Sequence, residues 1–302
     1  MDAPTAFAFV IGMLLLGRAL GAARLLPESA PDALNAVVLN VCLPASVLLH
    51  APALSPSWDL LRIAAVPWLL LVASVGLVLA LARALRWDGP TTAVLLLAVP
   101  LGNTAFLGYP LVSALLGEAA MAPAVVHDQF GTFLVLSTFG LAVVAHYGHG
   151  ARPTPAQVAL RVLRFPPFIA LLLALTVAPD AWPAPVEAAL RRLADALLPL
   201  VTLAIGMQVR LRLPREHVAP LAIGLVAKLL LLPALALALA APLGLAGAAR
   251  EAVVLQAAMP TMITAMALAA GARLAPALGA ALVGYGIVLS IALLPLWVWL
   301  LR

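Results

Sequence analysis

The sequence predicts an all-α membrane protein of ten transmembrane helices, arranged as two inverted repeats of five helices each. Hydrophobic residues make up 65% of the 302 positions and charged residues 10%, whereas soluble domains carry about 25% charged residues. Ten spans of roughly 20 residues fit within this length and leave only short loops. Two of the spans carry proline interruptions at corresponding places in the two halves. No segment is polar enough to form a soluble domain.

The spans are separated by short joints rich in Pro, Gly, Arg and Asp. They lie at residues 5–25, 31–51, 58–83, 90–116, 120–146, 158–178, 184–208, 216–241, 249–271 and 276–301. The N-terminus lacks a basic stretch and a small-residue cleavage site, so the first span is expected to be retained. Eleven arginines lie at the odd-numbered joints and their flanks, against five at the even joints and the C-terminus. The positive-inside rule therefore places the odd joints, including the linker 146–155, in the cytoplasm and both termini outside.

The fourth span is interrupted between residues 99 and 110, which read V-P-L-G-N-T-A-F-L-G-Y-P. Pro100 and Pro110 have no backbone N–H, so a continuous helix would leave carbonyl groups unpaired. Because an unpaired backbone group in lipid costs several kcal/mol, such a break needs a cover of protein or a watery cavity. Asn103 and Thr104 would present polar side chains to that cavity.

The second half repeats this pattern. The sequence Q-A-A-M-P-T at 256–261 breaks the ninth span at Pro260, where Gln256 and Thr261 are the polar candidates. In the second and seventh spans Asn40 and Asp195 each precede a mid-span proline by four residues. These two polar residues are expected to pair with freed backbone groups or to contact a ligand.

The two halves, residues 1–150 and 151–302, each contain five predicted spans. Since five is an odd number, the second half must run through the membrane in the inverted sense. Paired broken spans in two inverted halves are typical of secondary transporters with a binding site near the middle of the membrane.

Lys228 is the one lysine of the chain and lies near the centre of the eighth span. A cation at this depth costs about 2.5–3.5 kcal/mol, so the side chain should face the protein interior and have a partner. One interpretation makes Lys228 a counter-charge for an anionic substrate, or a cation in the place of a coupling ion. The other makes it half of a fixed ion pair with Asp195 or Asp128. Both stay open.

The broken helices also suggest where an anion would bind. Half-helices beginning near Pro110 and near Pro260 would present free N–H groups with partial positive charge, which suit a carboxylate. Asn103 would then contact the ligand, or alternatively cap its own broken helix. In the fifth span, His127 and Asp128 form either a proton relay or a His–Asp pair that stabilises the bundle.

Several function classes are disfavoured. No nucleophile–base or metal-binding motif is present, so neither an enzyme nor a metal or organic cofactor is expected. The lone Cys42 lies inside a span, which excludes an internal disulfide. The net charge of +5 comes from arginines that flank spans, so it indicates membrane orientation and no nucleic-acid partner.

The broken spans also resemble a known family. The motif N-T-x-x-x-G-x-P, formed by Asn103, Thr104, Gly108 and Pro110, is similar to the fourth-helix motif of the auxin efflux carrier family. Q-A-A-M-P at 256–260 resembles its ninth-helix motif. Lys228 matches a basic position of the plant members, and P-A-S-V-L-L-H at 44–50 is similar as well.

The resemblance implies a ten-helix inverted-repeat fold of the bile acid/sodium symporter type. Spans 1, 2, 6 and 7 would form a scaffold that dimerises. Spans 3–5 and 8–10 would form a transport unit that moves like an elevator, with Asn103 on the substrate carboxylate. The short linker groups the chain with compact bacterial members of the inner membrane, which are associated with dicarboxylates.

The resulting prediction is a secondary active or facilitative transporter of small organic anions, either mono- or dicarboxylates or auxin-like acids. A second hypothesis is a sodium- or proton-coupled symporter of amphipathic anions such as bile acids. A third, from another class, is a membrane sensor that binds a ligand without moving it. The sequence does not decide the coupling ion.

Overall fold

The structure, a computed structural model, describes residues 3–51, 58–148, 154–177, 179, 182–208, 211 and 215–301. Half of the predicted linker 146–155, namely residues 149–153, lies outside the described residues. The helices of the described residues are α1 Ala3–Ala22, α2 Ala30–His50, α3 Trp58–Leu85, α4 Gly89–Ala98, α5 Thr104–Leu116, α6 Glu118–Tyr147, α7 Pro155–Leu163, α8 Pro166–Thr176, α9 Ala184–Asp195, α10 Leu197–Gln208, α11 Val218–Ala240, α12 Gly247–Ala257, α13 Ile263–Gly271 and α14 Pro276–Leu301.

Six helices in this described part are long and apolar enough to cross a membrane, namely α1, α2, α3, α6, α11 and α14. A seventh crossing is counted if α7 and α8, which meet at 71°, form one bent span. This bend falls within the predicted sixth span, because Pro166 and Pro167 begin a new helix there. The ten-span count and the inverted repeat remain predictions.

The predicted interruptions of the fourth and ninth spans are confirmed. The fourth span divides into α4 and α5, and the ninth into α12 and α13. Asp88 caps the first of these helices by accepting the Thr91 N–H at 2.9 Å. Hydrogen bonding by Thr91, through its side chain first and its backbone N–H second, lowers the pKa of the Asp88 carboxyl, which lies at the predicted joint before the span.

Five widened π-helical turns interrupt the helices of the described residues: Val38–Cys42, Thr104–Gly108, Asp128–Thr132, Leu136–Gly140 and Ala227–Leu231. Three of them are followed two residues later by a proline, namely Pro44, Pro110 and Pro233. A proline leaves the carbonyl four residues earlier without its helical donor. The carbonyl that Pro233 releases, on Leu229, accepts the Trp297 indole N–H at 3.0 Å. Such π-turns often mark functional sites, and here they carry several buried polar residues, among them Thr104, Asp128, Ser137 and Lys228.

Two groups of helices pack around the broken spans. In the first, α1 lies along α10, and α2 packs against α8, α9 and α10. A Cβ atom on Gly17 would clash with the carbonyl oxygen of Leu203, at 2.3 Å. A Cβ atom on Gly206 would clash in the same way with the carbonyl oxygen of Leu14, also at 2.3 Å. The two glycines therefore permit close backbone contact between α1 and α10. In the second group, α12 packs between α6 and α11, and α13 packs against α4 and α14.

Candidate functional site

The two breaks cross and pair with each other. The Asn103 N–H donates to the Pro260 carbonyl at 2.8 Å, and the Met262 N–H donates to the Leu101 carbonyl at 2.9 Å. Together they form one isolated antiparallel β-bridge. Backbone groups that the breaks remove from the helices are thereby satisfied by protein, as a membrane interior requires. This crossing, residues 99–103 and 258–262, is the centre of the candidate site.

Lys228 lies beside the crossing, buried to 2% exposure. Its Nζ donates to the carbonyl of Ala257, the last residue of α12, at 3.2 Å. Nζ also lies close to Gly102, in the backbone that follows α4. A Cβ atom added to this glycine would be only 3.0 Å from Nζ. The carbonyl ends of helices carry partial negative charge, which stabilises a cation there.

The predicted ion pair of Lys228 with Asp195 or Asp128 is wrong. Within the described residues the lysine forms no ion pair, and its hydrogen-bond partner is a helix-terminal carbonyl. Asp195 lies elsewhere, at the end of α9 and in a different cavity.

Asp128 is the acceptor of a buried hydrogen-bond cluster. Thr104 donates its hydroxyl to Oδ1, and Oδ2 accepts the Tyr109 hydroxyl at 2.9 Å and the Gln129 amide at 2.8 Å. All four side chains are buried. A buried carboxylate requires such donors, so the Thr104 hydroxyl is engaged with protein and is not turned to a cavity.

Asn103 differs from its neighbour. Its backbone carbonyl accepts the N–H groups of Leu107 and Gly108 at 3.2 and 3.0 Å and so starts α5. Its side chain makes no capping hydrogen bond, and Nδ2 has no partner although the residue is only 2% exposed. The alternative that this side chain caps its own helix is therefore wrong. The half-helix begins at Thr104 and not near Pro110, because the π-turn accommodates the proline inside the helix.

Asn103 is reached by two adjoining cavities of about 130 and 290 Å³, together called the inner cavity. The two share the side chains of Leu39, Asn103, Phe106 and Thr264. The smaller one also contacts Asp128, Phe133, Ser137, Arg161 and Phe165. The Ser137 hydroxyl is buried and, like the Asn103 amide, has no hydrogen-bond partner.

A separate cavity of about 390 Å³, called the outer cavity, lies on the other side of the broken span. It is lined by Tyr109 and Pro110 of α5 and by residues of α2, α6, α9 and α10. Glu118, at the start of α6, pairs with His50 of α2 at 2.8 Å and with Arg191 of α9 at 3.6 Å. Asp195 also lines this cavity.

The polar residues of the ninth span hold the crossing together. The Gln256 amide donates to the Ala124 carbonyl at 3.2 Å. The Thr261 hydroxyl donates to the carbonyl of Ala98, the last residue of α4, at 3.1 Å. Gln256 also lies against Gly108, where a Cβ would come within 2.0 Å of its Oε1. The glycine of the motif thus lies in close contact with the end of the Gln256 side chain.

Two further predicted residues have a different environment from the one expected. His127 is buried, its Nδ1 has no partner, and it does not pair with Asp128. Adjacent helical residues point in different directions, so the predicted His–Asp pair is wrong. Asn40 donates to the Ala36 carbonyl at 2.8 Å, which is not the carbonyl that Pro44 releases, and it also lines the inner cavity.

Sequence reasoning missed Ser137 and the structural role of Tyr109. A lone serine in an apolar span is a weak signal, and Tyr109 belongs to the broken stretch without being polar enough to stand out. Arg161 and Glu118 lie at predicted joints or their flanks, where charged residues are ordinary, so the sequence alone does not single them out. Among the described residues, no group of three His, Cys, Asp or Glu side chains is placed to hold a metal ion.

Broken helices that cross around a buried cation, in a chain with several apolar spans, define a membrane transporter. A family model described as "Membrane transport protein" matches residues 3–150 and 151–298. The chain belongs to this family, which is the auxin efflux carrier family, and it is a multi-pass membrane protein.

Two relatives cover nearly the whole chain. An uncharacterized transporter of Methanothermobacter thermautotrophicus is 30% identical over 293 residues, which is 95% of each chain. An uncharacterized transporter of Methanocaldococcus jannaschii is 23% identical over 286 residues, or 92% of each. Both names agree with transport and not with enzymatic catalysis.

Proposed function

We propose that the protein is a secondary active or facilitative transporter of small organic anions, mono- or dicarboxylates, that bind at the crossing. The observation that carries this proposal is the Asn103 side chain, buried and without a partner for Nδ2, at the wall of the inner cavity. A buried donor without an acceptor is unfavourable by about 1–3 kcal/mol. A ligand with an acceptor oxygen removes this penalty.

The surroundings of Asn103 favour an anion over a neutral ligand. The first turn of α5 follows it, and the N–H groups at the start of a helix carry partial positive charge. Lys228 adds a buried cation on the other side of the backbone at Gly102. The nearby carboxylate of Asp128 is engaged by three donors.

Transport is proposed to proceed by alternating access. The inner cavity reaches Asn103, whereas the outer cavity contacts Tyr109 and Pro110 and is bridged by the contacts of Glu118 with His50 and Arg191. This arrangement fits a state open towards the predicted cytoplasmic side. By family resemblance, the chain would have ten spans in a 5+5 inverted repeat, divided between a dimeric scaffold and a moving unit. The protein would lie in the bacterial inner membrane, and both of its termini would be outside.

Lys228 also bears on the coupling ion. It occupies the place near the carbonyl end of α12 where a bound cation would be stabilised. We therefore propose that this internal cation replaces Na⁺ at the crossing. The alternative of a sodium- or proton-coupled symporter of amphipathic anions is favoured by one observation, the phenylalanines that line the inner cavity.

The proposal is tested with purified protein in liposomes. Uptake of radiolabelled malonate, succinate, benzoate and phenylacetate is measured with and without Na⁺ and a pH gradient, against protein-free liposomes. Uptake of at least one acid without Na⁺ is expected. Binding in a thermal-shift assay without any uptake would instead support the sensor, and strict dependence on Na⁺ would support the symporter.

A further inference from the structure

Arg161 lies on α7, the short helix that precedes the bend into α8, and lines the smaller part of the inner cavity. It is the one cationic side chain among the described residues that line this cavity, which is also lined by the carboxylates of Asp128 and Asp32. In the part of the chain that the structure describes, it forms no ion pair. Its charge is therefore not neutralised by a described carboxylate.

The local structure holds α7 against the cavity. Thr154 and Gln157 form a capping box that starts this helix. The helix packs against the π-turn Leu136–Gly140, which carries Ser137. Arg161 and the unpaired Ser137 hydroxyl thus line one cavity from two adjoining elements.

The rest of this wall is largely apolar. Phe133 of α6 and Phe165 at the bend stack with ring centroids 4.0 Å apart and an interplanar angle of 14°. Phe106 and Leu136 line the same cavity. A ligand there meets aromatic surface as well as three donors, on Asn103, Ser137 and Arg161.

We propose that Arg161 is the charge-selecting residue of the inner cavity, which attracts the anion and distinguishes it from a neutral ligand of the same shape. This inference rests on the proposed function, in which Asn103 donates to the ligand. The two residues have separable roles. Asn103 donates to any acceptor oxygen, whereas a guanidinium at the cavity rim acts on the charge of the ligand.

The size of the effect follows from the exposure of Arg161, which lies at the solvent-accessible edge. Ion pairs at exposed positions are weak and are screened by salt. Removing a charge at the rim of a site mainly changes the association rate and its salt dependence. We expect a loss of affinity of about fivefold at low salt, which shrinks as salt is raised.

The test measures binding of phenylacetate, malonate and their neutral amides by wild type, Arg161→Gln, Arg161→Lys and Arg164→Gln. Arg164 is an exposed arginine at the end of the same helix that does not line the cavity, which makes it the matched control. Arg161→Gln should weaken binding of the acid and not of the amide. Arg161→Lys should retain most of the acid affinity, and Arg164→Gln should bind like wild type.

Asn103→Ala separates the two proposals, because it should weaken binding of acid and amide alike. If Arg161→Gln binds the acid with wild-type affinity while Asn103→Ala loses it, the role of Arg161 is refuted and the proposed function stands. An equal loss in Arg161→Gln and Arg164→Gln would also refute it, because the effect would then be general surface charge. If neither acid binds wild type, both proposals fail.

Discussion

The inner and outer cavities contrast in how their polar side chains are used. In the inner cavity, the Asn103 amide and the Ser137 hydroxyl are buried and unpaired. In the outer cavity, Glu118 is engaged with His50 and Arg191. The inner cavity thus offers hydrogen-bond donors to a ligand, whereas charged groups of the outer one bind each other across helices.

The first prediction assigns the two cavities to opposite sides of the membrane. In a protein with Cys42 replaced by Ala, cysteine is introduced at Ala156, near the inner cavity, or at Ala119, beside Glu118; both are exposed. We expect an impermeant maleimide added to intact cells to label Ala119→Cys and not Ala156→Cys. Lysed cells, in which both should react, are the control. The reverse pattern would invert the predicted orientation.

The second prediction concerns the buried cluster that separates the two cavities. Thr104→Val removes one of the three donors to Asp128, and an unsatisfied buried acceptor costs about 1–3 kcal/mol. The apparent melting temperature of the purified protein should fall, while carboxylate affinity changes by less than about twofold, since the lost bond faces protein. The control is Thr138→Val, because that hydroxyl is exposed and bonds within its own helix. Equal melting temperatures for the two variants would contradict the assigned role of Thr104.

The third and smallest effect is expected at the outer cavity. Glu118→Gln weakens the pairs with His50 and Arg191, and each exposed pair contributes at most about 1 kcal/mol. The outer-open population should therefore rise by up to about fivefold for each pair that is lost. The measurement is the rate at which a soluble maleimide labels Ser113→Cys, a position that lines the outer cavity.

Glu187→Gln is the matched control for this experiment. Glu187 pairs with Arg191 within one helix, so it does not join separate elements. Its replacement should leave the labelling rate unchanged. If Glu187→Gln accelerates labelling as much as Glu118→Gln does, the pairs of Glu118 do not close the outer cavity.

The sequence predicted the two breaks because a missing proline N–H is visible in it. It did not predict which polar side chain would face a cavity. Asn103 and Thr104 are adjacent, but Asn103 precedes α5 with a non-helical backbone and Thr104 is the first residue of its π-turn, so one side chain lines the inner cavity and the other contacts Asp128. Such a choice depends on how the helix is rotated against its neighbours, which spacing along the chain does not encode.

The partner of Lys228 shows the same limit. A buried lysine in a sequence suggests a buried acid, and Asp195 and Asp128 were the candidates. The structure instead uses the carbonyl of Ala257, and a helix end formed by a break has no signature in side-chain chemistry. Gly108 was found through its motif, but the reason for it, contact with Gln256, needed the packing.

The most direct test of a ligand-binding role for Asn103 is to measure stability and carboxylate affinity on one preparation of Asn103→Ala. Because the Asn103 amide has no partner, removing it should leave the melting temperature of the ligand-free protein unchanged or slightly higher. Loss of a hydrogen bond to a charged ligand, worth about 1.5–3 kcal/mol, should lower affinity by about tenfold or more. Wild-type affinity in a stable Asn103→Ala protein would contradict the proposed site.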